Sequence, residues 1–420
     1  MKSSSRAFLL SAVLALCAGS ILSSLPVGCS HDAQASSTWK LAEFQVELLE
    51  LASKTASALP SNPHVKTRSR LQEEVATACL ALEQPERAMK IVEAIENWRR
   101  GTGYADIASW CASHGKQETA RHCIDLARKV ADTTEAGDAE GESSQTWRRD
   151  RIRAGIARAC LVLGESKQAA ELEAGLAGSE VGSLHAAKAK LQGADAPETL
   201  DARLLELDPV LATGDFDQLR DALGVCASLF DRFYADAERR TRAQEKIVSS
   251  WTKLPAQVRI ELMFELTGIA LDHADRSLAL TLVDDTQRLV EGSRWLPEDQ
   301  IPLAAKLAGL RQRAGGETQA RTELAAALAA FDAHRQRIVD IRRAAVLRSI
   351  AEAYQSMGDT AAALELYARA VEEGIANPNS RPRAEDLAAT CCSMAQHAIA
   401  PGPQLWSRLR EIHQGLKSPW

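Results

Sequence analysis

The chain has 420 residues, 50 basic and 56 acidic side chains for a formal charge of −6, 45% hydrophobic but only 5% aromatic residues, and 73 alanines. So much alanine and so little β-forming character exclude an all-β fold, the apolar content excludes an unfolded chain, and glycine without a three-residue period excludes collagen. An acidic chain is also a poor partner for nucleic acid.

The N-terminus reads as a targeting segment, since Lys2 and Arg6 precede an uncharged apolar run from Ala7 to Leu25. Two cleavage signals follow. Pro26-Val27-Gly28-Cys29 resembles a bacterial lipobox, with Cys29 as the lipidation candidate and Pro26 where leucine is usual. Ala33-Gln34-Ala35 is a small-x-small site that would release a soluble protein starting at Ser36. Both predict an extracytoplasmic location, in the periplasm or cell envelope, with a membrane contacted only through a lipid on Cys29. The organisation expected is a signal peptide over 1–35 (ending at 28 in a lipoprotein), an N-terminal capping helix and linker over 36–66, helical repeats over 67–192, a divergent helical region over 193–295, and further repeats with a capping helix over 296–420.

Within the first helix, Trp39 to Ala58, the residues Leu41, Phe44, Leu48, Leu49 and Ala52 recur at helical spacing, and Pro60 and Pro63 then break the chain. The strongest signal beyond it is self-similarity. Ile107-Ala108, Cys111, Gly115 and Ala120 match Ile156-Ala157, Cys160, Gly164 and Ala169, and also Ile350-Ala351, Tyr354, Gly358 and Ala363. Val75-Ala76, Cys79 and Ala88 fit with Glu83 in place of the glycine. Looser copies start at Leu266, with Ala274 and Ala279, and at Leu307, with Gly315 and Ala320; a last one is read from Leu387 with Cys391. Positions one, two and five form one helical stripe, the glycine suits a left-handed C-cap, and the alanine lets a second helix approach closely.

Between these copies lie an acidic loop, Asp132 to Gln145, and a short helix, Leu184 to Leu191, bracketed by Gly175 to Gly182 and Gly193 to Pro197. Around Asp208 to Leu223 the pattern fades, with Gly214-Asp215 as a weak turn. Asp215 to Leu271 carries more bulky side chains, among them Phe216, Phe230, Phe233, Tyr234, Trp251 and Phe264, and reads as a more globular region; Leu405 to Leu416 reads as the final helix.

Ala351-Glu352-Ala353-Tyr354 through Gly358-Asp359, Ala363-Leu364 and Tyr367-Ala368-Arg369-Ala370 resemble the tetratricopeptide family. That resemblance implies an all-α, right-handed superhelical solenoid of antiparallel helix pairs used for protein binding. The departure is in spacing: the turn positions 83, 115, 164, 214, 274, 315 and 358 do not keep the family's period of about 34 residues.

Signatures of catalysis are absent: there is no nucleophile elbow, phosphate loop, zinc-binding H-E-x-x-H or dinucleotide fingerprint. No catalytic, cofactor-binding or metal-binding residue is therefore assigned, and no cofactor is expected. Cys111, His114, His122 and Cys123 have the spacing of a metal cluster, but Cys111 shares its template position with Cys79 and Cys160, so packing is the preferred account. The vicinal Cys391-Cys392 is read in the same way, because adjacent helical side chains diverge.

Three basic triplets stand before repeat starts: Trp98-Arg99-Arg100, Trp147-Arg148-Arg149 and Ile341-Arg342-Arg343. Arg99, Arg100, Arg148, Arg149, Arg342 and Arg343 are the partner-binding candidates, as a ladder of guanidinium groups for carboxylates; the competing account pairs them with acids of neighbouring helices. The function expected is a non-enzymatic scaffold or adaptor of the bacterial cell envelope that binds proteins or peptides. The alternative is a carbohydrate- or peptidoglycan-active enzyme on a helical toroid, for which Asp284-Asp285 and Glu372-Glu373 are the acid pairs to inspect.

Overall fold

The computed structural model describes residues 41–134, 146–176, 199–214 and 216–420. The expected leader with Cys29 and its two candidate cleavage signals, residues 135–145 of the expected acidic loop, and the expected short helix Leu184 to Leu191 lie outside the described residues. Among those described, the chain is all helical, with eighteen helices and no strand. In chain order they are α1 (Glu43–Ala58), α2 (Ser61–Ala81), α3 (Pro85–Glu93), α4 (Arg99–Ser113), α5 (Gln117–Thr134), α6 (Thr146–Val162), α7 (Ser166–Glu173), α8 (Thr199–Thr213), α9 (Phe216–Arg232), α10 (Ala237–Ser250), α11 (Ala256–Asp272), α12 (Arg276–Glu291), α13 (Pro297–Arg313), α14 (Glu317–His334), α15 (Asp340–Ser356), α16 (Thr360–Gly374), α17 (Ser380–Gln396) and α18 (Pro403–Gln414).

One turn geometry recurs. The backbone is left-handed at Glu83 (φ 58°), Gly115 (72°), Gly164 (78°), Ala274 (58°), Gly315 (96°), Gly358 (78°) and Ala398 (52°). The next residue donates its N–H to the carbonyl five residues back, as from Lys116 to Cys111 (2.8 Å), Glu165 to Cys160 (2.8 Å), Asp275 to Ala270 (2.8 Å) and Asp359 to Tyr354 (3.0 Å). This is a Schellman cap, which satisfies carbonyls that the ending helix leaves open. The fifth residue of the sequence template is thus the one whose carbonyl closes the turn. Six of the left-handed residues are the template's turn positions. The seventh is displaced: a copy starting at Leu387 would turn at residue 395, whereas the bend falls at Ala398 and Met394 supplies the carbonyl to Ile399 (2.9 Å). No glycine marks that turn, so nothing local fixed its register.

After each of the first six turns a second helix starts two residues on and packs on the first, in the pairs α2/α3, α4/α5, α6/α7, α11/α12, α13/α14 and α15/α16; after Ala398 the second helix starts five residues on, at Pro403, in the pair α17/α18. Asp275 and Asp359 cap their second helices, their side chains accepting from Leu278 (3.0 Å) and Ala362 (3.1 Å). Ala88, Ala120, Ala169, Ala279, Ala320 and Ala363 are each at most 1% exposed, because a larger side chain there would hold the pair apart. First helices of neighbouring pairs also pack, as α4 does on α6 and α13 on α15.

The chain divides into two compact units, one from Met1–Asn97 with Asn377–Trp420 and the other Trp98–Ala376. In the first, α1 packs on α17 and touches α18. Read separately in the sequence, the two end helices serve as caps for opposite ends of the chain; in space both belong to this one unit, where Leu48 and Ala52 of α1 and Leu387 and Ala395 of α17 are buried. In the second unit Phe230, Phe233, Tyr234 and Trp251 share one core cluster, whereas Phe264 belongs to another and Phe216 is 46% exposed. Of the loop expected from Asp132, the first three residues, Asp132, Thr133 and Thr134, instead continue α5.

Candidate partner-binding surface

Two of the three basic triplets come together at the starts of α4 and α6. The helices approach closely because each presents a glycine: a Cβ on Gly101 would lie 2.6 Å from Ile152 Cδ1, and one on Gly155 would lie 2.8 Å from Ala105 Cβ. That approach places the Trp98 and Trp147 rings edge to face, with centroids 5.1 Å apart and planes at 76°. The Arg99 guanidinium carbon lies 4.9 Å from the Trp98 ring centroid, and that of Arg148 lies 5.5 Å from the Trp147 ring centroid. Trp147 remains 47% exposed.

The electrostatics of this end are one-sided. Neither α4 nor α6 has an acid in its first turn, where acids are favourable; arginines occupy those turns instead. Between Thr146 and Val162 there are five arginines and one aspartate, and that aspartate, Asp150, is only 4% exposed. Arg149 lies beside it, Nε 3.6 Å from Oδ1, and is mostly buried. Arg100, in the first turn of α4, is half-buried.

The third triplet is placed differently. Arg343 donates from Nε to the Ile338 carbonyl (2.9 Å) and approaches Glu373 (3.8 Å), which Arg335 also grips with two hydrogen bonds of 2.5 and 3.0 Å. Arg343 therefore braces α15 to α16. Arg342 lies close enough to Asp299 to oppose the upward push that burial gives that carboxyl. So Arg99 and Arg148 come together through the Trp98–Trp147 contact, Arg149 lies mostly buried beside Asp150, and Arg342 and Arg343 stand on another helix, α15, near Asp299 and Glu373.

Other sequence candidates fall into the core or onto separate partners. Cys111 and Cys123 are fully buried, and burial pushes the Cys123 thiol up to about 12. His114 stacks on Trp110, centroids 3.8 Å apart, and His122 is exposed. Among the described residues no three metal-ligating side chains converge. Cys391 and Cys392 are both buried, and neither is in a disulfide. Asp284 pairs with Arg311 (2.7 Å) while its neighbour Asp285 pairs with Arg288, so the adjacent acids point to different cations.

Sequence reading missed two polar clusters. Arg311 occupies the fifth template position, is 2% exposed, and binds Asp284 (2.7 Å), Glu323 (3.0 Å) and Gln287 (2.8 Å). Tyr234 stacks on His273 (centroids 4.0 Å, planes 4° apart), and its hydroxyl donates to Asp275 (3.0 Å). Burial, with that bond and the Asp275 charge, pushes the Tyr234 hydroxyl up to about 12. Arg240 lies over the same ring and 3.6 Å from Asp275, while His273 Nε2 and Asp231 Oδ1 are 2.9 Å apart. Partners separated by about forty residues leave no local pattern by which to find such a cluster. The tryptophans of the site, by contrast, stood in view at the head of two of the three triplets.

No known family model matches the chain, and no curated protein matches its sequence.

Proposed function

We propose that this protein is a non-enzymatic scaffold or adaptor of the bacterial cell envelope, built as a right-handed solenoid of antiparallel, tetratricopeptide-like helix pairs, that binds proteins or peptides. The recurrent Schellman turn with its buried alanine supports the architecture. The observation that carries the function is the Trp98–Trp147 surface, where a half-exposed indole and the arginine-bearing first turns of two packed helices lie together, a composition enriched where proteins meet. The secretion-type leader supports the location, with attachment through a lipid on Cys29 or release at Ser36.

Affinity purification from the native envelope, with mass spectrometry of the captured proteins and of the mature N-terminus, tests the proposal. Specific, stoichiometric protein partners and a processed N-terminus are expected. A full-length cytoplasmic form without partners, or turnover of envelope glycans by the purified protein, would overturn it.

A further inference from the structure

We propose that the Trp98–Trp147 surface docks an extended acidic polypeptide segment whose carboxylates meet the arginines of α4 and α6 and whose apolar side chains cover Trp147, an inference that rests on the protein-binding reading above. Arginines in the first turn oppose the helix dipole, so helix stability does not account for their position in both helices. Two helix N-termini add their partial positive charge to the same place.

Most arginines that brace the fold have a carboxylate in reach: Arg311, Arg335, Arg369 and Arg410 all make ion pairs of 3.0 Å or less. On α6 the pattern changes. Arg148, Arg151 and Arg153 have no ion pair among the described residues, and the one acid of the helix is buried beside Arg149. A local excess of positive charge on an acidic chain selects an acidic partner through charge complementarity.

The aromatic geometry chooses a polypeptide over a membrane. Trp98 and Trp147 press edge to face, and a guanidinium lies over each. Rings sheathed in this way cannot enter hydrocarbon without stripping an arginine from its ring. A polypeptide needs no insertion: it lays carboxylates on the guanidinium forks and an aliphatic side chain on the open part of Trp147.

Fluorescence anisotropy with a fluorescein-labelled peptide of Glu-Glu-Leu repeats, titrated with full-length mature protein, tests this. Saturable binding that weakens with added salt is expected. Arg148→Glu with Arg151→Glu should weaken it about tenfold or more, and Trp147→Ala several-fold, with Trp147→Phe and the doubly lysine-substituted protein (R148K with R151K) keeping most of the affinity. Circular dichroism and thermal melting establish that each variant is folded. Equal binding by the charge-reversed and wild-type proteins, equal binding of a Lys-Lys-Leu peptide, loss in the lysine variant as large as in the glutamate variant, or binding to phosphatidylglycerol vesicles with none to the acidic peptide would each overturn the proposal. If wild type and the charge-reversed variant capture the same envelope partners, this inference fails while the scaffold reading stands; if wild type captures none, both fail.

Discussion

Gln45 Nε2 donates a 2.8 Å hydrogen bond to the carbonyl oxygen of Ala395, joining α1 to α17 across 350 residues of sequence. Arg70 and Glu385 (3.3 Å), Glu47 and Arg410 (3.0 Å), and Thr55 Oγ1 and His413 Nδ1 (3.0 Å) span the same two ends of the chain. Because Gln45 is 9% exposed, Gln45→Leu removes the bond and leaves the Ala395 carbonyl without it. A loss of about 1–2 kcal/mol is expected in urea denaturation. A chain ending at Ala376 should lose hydrogen-exchange protection in α1, whose buried face rests on α17, while α15 and α16 keep theirs.

Gly358 and Ala274 test the turn in opposite directions. A Cβ on Gly358 would meet nothing within 4 Å, so Gly358→Ala costs only the left-handed backbone, about 1 kcal/mol. Ala274 already bears that strain at φ 58°, and Ala274→Gly should be neutral to stabilising by several tenths of a kcal/mol. Thermal melts of the two variants should therefore move apart.

Gly101 sets the separation of α4 and α6. Gly101→Ala drives a methyl into Ile152 and is expected to cost about 1–2 kcal/mol even after alanine's helix preference is credited. Ile152→Ala alone leaves a cavity, but the double variant should be more stable than the sum of the single losses. Near-ultraviolet circular dichroism should change in Gly101→Ala, because the Trp98–Trp147 contact depends on that separation.

Arg311 is a buried cation held by three partners from α12 and α14. Arg311→Ala strands Glu323 and opens a gap, for a loss of about 2–4 kcal/mol; Arg311→Met, which keeps the stem packed, should lose less. Denaturant midpoints compare the two.

His413 makes the first unit sensitive to acid. Burial chiefly, and then Lys54, hold its pKa below the usual value of 6.5. The unfolded chain therefore takes up the proton more readily, and the contribution of His413 to stability, present above 6.5, is lost as pH falls through that value towards the folded pKa. His413→Asn should flatten the stability profile in this window. Burial raises the Glu385 carboxyl, which gives stability of the opposite sign, lost as pH rises above 4.5, so the comparison is read as the difference between wild type and variant.

The turns and the candidate surface were legible to different depths. A left-handed residue, a carbonyl four back and an alanine five ahead lie within one short stretch, so local sterics wrote Gly115, Gly164, Gly315 and Gly358 into the sequence; even Glu83 and Ala274 were recovered from their surroundings. The turn at Ala398 was not read, because neither a glycine nor a clear stripe marked it. At the surface, the three basic triplets were visible as motifs, yet nothing in them shows which two would meet.

Helical character, the hairpin turns and the acidic balance of the chain were determined by the sequence alone, because each follows from backbone preference or composition within a few residues. Only the tertiary structure decided that α1 rests on α17, that Trp98 meets Trp147 while Ile341 stands elsewhere, and that Arg311 is buried with its acids. Those outcomes depend on which apolar faces exclude water together and on how closely Gly101 and Gly155 let two helices approach, and the partners that settle them are separated by dozens to hundreds of residues.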